Sequence, residues 1–325
     1  GPEYWANRLQ DWELRNVKFV CVESSAIKPM RTVHLLPLYV GKINEAFEPS
    51  VTLGVASGNT ELSTDTWGGF LVGAGLGEID HRGAALIHHG PGKGGGLIAG
   101  INGQGKLIFR DMTREGYPQL PFEVISEQAV PLDKNSELLF ELSYLPVGDQ
   151  GELILKVSDK ISNTVGKIRM SDVASEMLTG NVALVSHPGN ENDKASYWFK
   201  DWQVSGPRIS ENPGEFFGPV LSCYYTLSEK ILKLTAQFPV LGDNDPTSVF
   251  LETWCDEKSS WENIAESQIE KPSYTALFRI PNWDDTKDTR YRVTYKGALH
   301  QGELQESYFE GIIRRNPVDK KTITV

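Results

Sequence analysis

The sequence predicts an all-β protein made of two β-sandwiches, and three observations support this. The chain contains 31 Gly and 18 Pro among 325 residues, which leaves few long stretches of helix-forming residues. Apolar and polar residues alternate with a period of two in many short segments that are bounded by turn residues. A turn-rich segment without hydrophobic periodicity, residues 205–214, divides the chain into a longer and a shorter part.

The strongest single pattern is a β-hairpin in the longer part. Leu138, Phe140, Leu142 and Tyr144 share one face of a strand, and the same apolar alternation resumes in residues 153–157 after a glycine-containing turn. The other strands predicted in this part are residues 17–22, 31–39, 47–54, 68–73, 84–89, 96–101, 106–111, 122–126, 165–170, 181–186 and 196–204. So many strands favour a large two-sheet jelly roll, with one short helix at residues 172–178.

The shorter part predicts a second, smaller sandwich. Its seven alternating segments are residues 220–226, 231–238, 249–254, 262–269, 274–280, 291–295 and 307–313. Seven strands in roughly 100 residues are typical of an immunoglobulin-like or fibronectin-type domain. We therefore expect domains at residues 3–206 and 218–317, joined by a linker at residues 207–217.

Both ends of the chain suggest a part of a longer protein. Gly1-Pro2 is typical of the remainder left when a protease removes a purification tag. Residues 318–325 end in an alternating, β-prone segment, which we interpret as the start of a further domain.

Charge and cysteine content exclude several classes of protein. The formal net charge is -11 and neither half of the chain is basic, so nucleic acid and anionic membranes are poor partners. No segment reaches the roughly 20 apolar residues that a membrane-spanning helix needs. Three cysteines make no disulfide framework: Cys21 stands alone, and Cys223 and Cys255 are either bridged in an oxidising compartment or two free thiols.

Candidate binding residues gather in the middle of the first domain. His81, Arg82, His88 and Lys93 offer hydrogen bonds and positive charge near a glycine-rich stretch. Adjacent strand residues point to opposite faces, so a zinc site at these histidines is less favoured than a polar binding face. The remaining alternative is that they are scattered residues at the rim of the domain. Trp67 and Tyr117 each lie beside turn-rich segments and could stack on the apolar face of a sugar; the alternative for both is simple packing.

One stretch, residues 198–206, begins Trp198-Phe199-Lys200-Asp201-Trp202. It and several others resemble concanavalin A-like, or laminin-G-like, domains. The others are residues 11–14, 31–36, 69–75 and 82–89. More narrowly, with residues 281–293 and 319–325, the chain resembles the front part of bacterial proteins related to alkaline phosphatase D. This resemblance implies a lectin-like domain, a fibronectin III-like domain and then a metallophosphoesterase-like catalytic domain.

The resemblance also implies a structural calcium ion. Concanavalin A-like domains often bind calcium where the last strand meets the first, and calcium prefers carboxylate and carbonyl oxygens. We expect Asp201 with Asp11 as ligands, and Glu23 as an outside candidate.

No catalytic residue is predicted in this chain. The Asp-x-His and Gly-Asn-His motifs of binuclear phosphoesterases are absent from the sequence, as is a Gly-x-Ser-x-Gly nucleophile elbow. Two functions from different classes follow. One is a glycan-binding accessory region of a periplasmic, secreted or cell-surface enzyme from a polysaccharide-degrading bacterium. The other is a structural or docking module that shapes the active site of its own downstream catalytic domain.

Overall fold

A computed structural model describes residues 3–28, 30–59, 61–79, 83, 92–113, 123–212, 218–239, 241–242, 245–298 and 304–318. Strands account for most of the described residues, as the sequence predicts. The chain forms two compact units: the first comprises Tyr4–Glu215, and the second comprises Phe216–Val325 together with Gly1–Glu3. None of the described helices is both long and apolar enough to cross a membrane.

The first unit contains fifteen described strands and three short 3₁₀ helices. They are β1 (Tyr4–Ala6), η1 (Leu9–Asp11), β2 (Trp12–Arg15), β3 (Lys18–Cys21), β4 (Arg31–Val40), β5 (Glu48–Ser57), β6 (Thr66–Ala74), η2 (Gly75–Gly77), β7 (Leu97–Asn102), β8 (Lys106–Asp111), β9 (Glu123–Ala129), β10 (Leu138–Val147), β11 (Gln150–Ser158), β12 (Thr164–Ala174), η3 (Ser175–Leu178), β13 (Gly180–Pro188), β14 (Ser196–Ser205) and β15 (Ile209–Glu211).

These strands form two antiparallel sheets that pack face to face. The first sheet has the order β1-β4-β13-β6-β7-β8-β9, with β15 added alongside β4. The second sheet has the order β12-β11-β10-β5-β14-β3-β2. Alternate residues of both sheets, such as Phe70, Leu184, Leu53 and Phe140, meet in one continuous apolar core.

The outer face of the first sheet is also buried at its centre. Leu71, Ile98 and Ile108 belong to a second apolar cluster, separate from the core between the sheets. Met30, just before β4, and Met112, just after β8, pack onto this cluster. Strand β6 is therefore buried along its whole length, which explains why its sequence is almost continuously apolar or glycine rather than alternating.

The second unit is a seven-stranded sandwich, and each of its strands overlaps a predicted one. The strands are β16 (Ser222–Ser228), β17 (Ile231–Gln237), β18 (Ser248–Cys255), β19 (Ser260–Gln268), β20 (Thr275–Ile280), β21 (Thr289–Ala298) and β22 (Leu304–Ile313). One sheet has the order β16-β17-β20 and the other β19-β18-β21-β22. Leu234, Leu251, Phe278 and Val293 lie in the core between them. Cys223 and Cys255 are free thiols, as is the buried Cys21.

Three features of the first unit differ from the sequence-based expectations. Strands β1, β2 and β15 were not predicted, since segments of three or four residues show too little alternation. The predicted helix at residues 172–178 is a 3₁₀ turn limited to Ser175–Leu178. Arg208 and strand β15, placed in the linker by their turn-rich sequence, belong to the first sandwich because Ile209 pairs with Val40. The predicted strand at residues 84–89 lies outside the described residues.

Candidate functional site

A pocket of about 680 Å³ lies on the outer face of the first sheet. Its floor comes from three adjacent strands, because Tyr39 on β4 pairs with both Asn181 on β13 and Ser210 on β15. The residues that follow or precede them in sequence, such as Val40 and Val182, point into the core. Strand alternation therefore directs Tyr39, Asn181 and Ser210 outward, into the pocket.

One wall of the pocket is the turn that follows β6. Leu76 and Gly77 adopt left-handed backbone conformations, with φ of 53° and 67°, which shape this turn. The backbone N–H of Gly75 donates to the carbonyl oxygen of Gly94 at 2.9 Å, and the N–H of Glu78 donates to the carbonyl of Gly75 at 3.0 Å. This turn places Glu78 and Ile79 at the pocket.

The opposite wall is the end of the first unit. The backbone N–H of Asn212 donates to the carbonyl of Pro37 at 2.7 Å, which holds the residues after β15 against β4. Gly41 lies beneath this wall, and a Cβ atom there would come within 2.8 Å of the Ser210 hydroxyl oxygen. The absence of a side chain at Gly41 thus allows β15 to approach closely enough to line the pocket.

The pocket presents a half-buried aromatic ring among polar side chains. The side chains that point into it or border it are Tyr39, Lys42, Glu78, Asn181, Ser210, Glu211 and Asn212. Among the described residues, no hydrogen bond or ion pair engages the side-chain groups of Lys42, Asn181 or Asn212, so they are free to bind a ligand. One ammonium group and two carboxylates give these side chains a net charge of about -1 at neutral pH. The pocket therefore suits an uncharged, hydroxyl-rich molecule better than a polyanion.

Trp67, predicted as a stacking surface for sugar, is only 2% exposed. Its ring stacks on the imidazole of His187 with 4.5 Å between centroids, and the guanidinium of Arg110 lies 5.1 Å from its centroid. Trp67 is the second residue of the central strand β6, whose outer face is covered. The structure therefore agrees with the alternative interpretation of Trp67, in which its ring packs inside the fold instead of stacking on a sugar.

The remaining predicted binding residues are mostly outside the described part of the chain. His81, Arg82, His88 and Tyr117 belong to segments that the structure does not describe. Lys93 is exposed in the turn before β7 and is not among the pocket residues.

Two of the three residues predicted to bind calcium are engaged in ion pairs in the structure. The buried Asp11 carboxylate accepts a hydrogen bond from Arg31 Nε at 2.6 Å, so its charge is already compensated. Glu23 is likewise paired with Lys28, and hydrogen bonding to Lys28 holds the pKa of Glu23 below its usual range. Asp201 is exposed on β14. Within the described residues, no three His, Cys, Asp or Glu side chains are grouped so that they could hold a metal ion.

A loop cluster at the other end of β13 is structural. The Asp193 carboxylate accepts hydrogen bonds from the backbone N–H of Ser63 at 2.7 Å, the Ser63 hydroxyl at 2.6 Å and the backbone N–H of Asn190 at 3.0 Å. These bonds occupy the carboxylate in holding two loops together. Burial and the nearby charge of Arg110 lower the pKa of His187 to about 4, so this imidazole is neutral at physiological pH.

The pocket residues were missed by sequence reasoning because they come from four separate segments. Asn181 and Tyr39 fall at the ends of predicted strands, and Ser210 in the predicted linker, where no local pattern marks a binding residue. The turn at residues 75–79 carried the only local signal, since two glycines flank one leucine there.

No family model matches the sequence, and no curated protein is similar to it in sequence. Among solved structures, the chain is similar to lectin II from Ulex europaeus, with 9% identity and a TM-score of 0.41, over 62% of this chain and 91% of that one. It is similar to peanut lectin with 10% identity and a TM-score of 0.40, over 65% and 94%. The carbohydrate recognition domain of Emp47p follows with 12% identity and a TM-score of 0.39, over 63% and 89%.

Proposed function

We propose that the first unit is a glycan-binding module and that its pocket binds an uncharged, hydroxyl-rich portion of an oligosaccharide. The observation that carries this proposal is the pocket itself, which is lined by the Tyr39 ring and by the amides of Asn181 and Asn212. The C–H face of a sugar ring packs on an aromatic ring, while its hydroxyl groups exchange hydrogen bonds with amides. The cavity volume lies within the range of small-molecule sites.

The expected affinity is low. Each hydrogen bond to a sugar hydroxyl replaces one to water, for a net gain of about 0.5–1.5 kcal/mol. A few such bonds and one aromatic contact give a Kd between high micromolar and millimolar, or about -4 to -6 kcal/mol.

The test is titration of the full chain with neutral plant and algal oligosaccharides, followed by NMR and calorimetry. Tyr39→Ala and Asn181→Ala should each weaken binding at least about fivefold, since each removes roughly 1 kcal/mol of contact. Tyr224→Ala and Asn135→Ala are matched controls, because both residues are exposed and neither lines the pocket. Binding that survives both pocket variants unchanged, or a panel without any binding, would contradict the proposal.

We infer further that the chain is the non-catalytic front region of an extracytoplasmic carbohydrate-active or phosphoesterase-like enzyme. The resemblance of residues 281–293 and 319–325 to proteins related to alkaline phosphatase D supports this inference. The arrangement of the second unit into sheets of three and four strands is compatible with a fibronectin III-like domain in that position. Sequencing the native gene past Val325 tests it, since a metallophosphoesterase domain should follow.

A docking role is the second candidate, and one surface of the second unit favours it. On the outer face of the four-stranded sheet, Trp254 and Trp261 pack edge to face at 5.5 Å, and the guanidinium of Arg290 lies over both rings. Tyr308 is exposed beside Arg292. Tryptophan, tyrosine and arginine are the residues enriched at protein interfaces. A catalytic domain expressed separately should bind this chain, and Tyr308→Ala should weaken that binding.

A further inference from the structure

Three lysines surround one carboxylate on the second sheet of the first unit. The Glu137 carboxylate lies 3.2 Å from Lys18 Nζ, 3.0 Å from Lys200 Nζ and 3.8 Å from Lys160 Nζ. Hydrogen bonds from Lys200 and Lys18 hold the pKa of Glu137 below its usual range, so the carboxylate is ionised at neutral pH.

The sheet beneath the lysines fixes their positions. Lys18 lies on β3 and Lys200 on β14, two paired strands, and both ammonium groups lie over the ring of Trp198, at 3.6 and 5.9 Å from its centroid. Trp198 lies flat against Gly54, where a Cβ atom would come within 2.3 Å of the indole, and only 7% of the residue is exposed. The indole thus holds two like charges close together through cation–π attraction.

The charges in this cluster do not balance. Three ammonium groups face one carboxylate, which leaves a net charge of about +2 at neutral pH. Asp201 follows Lys200 in sequence but forms no ion pair with these lysines in the described part of the chain. Each ammonium group has three N–H donors and uses at most one of them on Glu137, so most of the donors remain available. Lys160 is 62% exposed and is the least engaged of the three.

We propose that Lys18, Lys160 and Lys200 form a second binding site, which takes sulfate or carboxylate groups of an acidic polysaccharide. An added anion would relieve the repulsion between the lysines that Glu137 only partly offsets. The choice of a polysaccharide rests on the proposed function of this unit, whereas the preference for an anion rests on the cluster alone. The site lies on the second sheet, and the pocket lies on the outer face of the first.

Dextran sulfate and uncharged dextran provide matched probes, because they share one sugar backbone and differ in charge. Binding of the full chain to each is measured by calorimetry at about 20 mM and about 150 mM salt. We expect dextran sulfate to bind, dextran not to compete with it, and the affinity to fall as salt rises. The double variant Lys18→Gln/Lys200→Gln should weaken binding at least about tenfold, since it removes two charges within contact distance.

The matched control is Lys156→Gln/Lys167→Gln. These two lysines are also a cross-strand pair on the second sheet, between β11 and β12, so the control removes the same charge without touching the cluster. It should change the affinity less than about twofold. An equal loss in the control and in the cluster variant would show a general charge effect and overturn the proposal.

Glu137→Gln tests the site by an expected gain in affinity, whereas a folding defect would cause a loss of affinity. Removing the central negative charge should tighten dextran sulfate binding at least about fivefold at low salt, which corresponds to about 1 kcal/mol, the interaction of two unit charges at 4 Å in water. Unchanged or weaker binding would mean that the cluster only stabilises the sheet.

Anionic lipid vesicles and poly-glutamate serve as alternative anionic ligands in the same experiment. Binding of either in place of dextran sulfate would refute the polysaccharide assignment. Tyr39→Ala should leave dextran sulfate binding intact, so failure of the pocket proposal and failure of this one are separable.

Discussion

Replacing Arg208 should loosen the first unit at the pocket. Arg208 is fully buried, and among the described residues no carboxylate pairs with it. Its Nε donates to the carbonyl of Gly41 at 3.0 Å, and its Nη2 donates to the carbonyl of Ser175 at 2.6 Å and the hydroxyl oxygen of Thr179 at 3.3 Å. The side chain therefore ties the end of β4, the helix η3 and the start of β13 to the residue that precedes β15.

The expected cost is the balance of two stabilising contributions and one destabilising contribution. Three charge-assisted hydrogen bonds contribute at least about 1.5 kcal/mol each. The rings of Phe47 and Tyr144, at 5.8 and 5.1 Å from the guanidinium, add about 1 kcal/mol each. Burying a guanidinium without a counter-ion opposes these contributions and costs several kcal/mol, or about 4 kcal/mol. Arg208→Met removes all three contributions, so the free energy of unfolding of the first unit should fall by about 2.5 kcal/mol, and its Tm by roughly 5–10 °C.

Thermal unfolding of the full chain, followed by calorimetry, measures this change. The transition of the second unit serves as the internal reference, because Arg208 belongs to the first unit. Arg208→Lys should lower the free energy of unfolding at least as much as Arg208→Met does, because lysine keeps the buried charge but lacks the planar set of donors. Either variant should also weaken oligosaccharide binding, because Ser210 and Glu211 line the pocket. A Met variant as stable as the wild type would show that burial of the charge cancels the hydrogen bonds.

Three further predictions concern the same unit. Arg31→Met leaves the Asp11 carboxylate buried without its partner and should cost about 3–5 kcal/mol in urea unfolding. The pKa of His187 is lowered to about 4 in the folded protein, so as the pH falls the unfolded state becomes protonated at this imidazole before the folded state does. Tm should therefore be constant above about pH 7 and fall between pH 6.5 and pH 4. His187→Gln should make this decline less steep. Gly54→Ala brings a methyl group against the Trp198 ring and should cost about 1–3 kcal/mol and weaken dextran sulfate binding.

Strand alternation predicted the parts of the fold in which one face is buried. The hairpin of β10 and β11 pairs Tyr144 with Leu153 and Leu142 with Leu155, so both members of each pair point into the core, as their period of two implies. All seven strands of the second unit were found for the same reason. Where both faces are buried, as in β6, alternation disappears, and Trp67 could not be recognised as a core residue from its neighbours.

The binding residues were harder to predict because tertiary structure assembles them. Tyr39, Asn181 and Ser210 lie in one row across three strands, and that row depends on a pairing register interrupted between Asn181 and Val182. The lysine cluster likewise joins residues of two paired strands to Glu137, more than a hundred positions from Lys18. Neither set forms a motif in the sequence, so only the sheet order brings them together.

Charge gives the two proposed sites different ligand preferences on one small unit. The pocket carries a net charge of about -1, and the lysine cluster about +2, at neutral pH. The two sites lie on different sheets of the sandwich, so a short oligosaccharide could occupy only one of them. Salt should therefore separate their contributions: raising it weakens binding at Lys18 and Lys200 and leaves hydrogen bonding at Asn181 almost unchanged. A polysaccharide with both neutral and acidic stretches would then engage the unit through two segments, and its apparent affinity should exceed that of either segment alone.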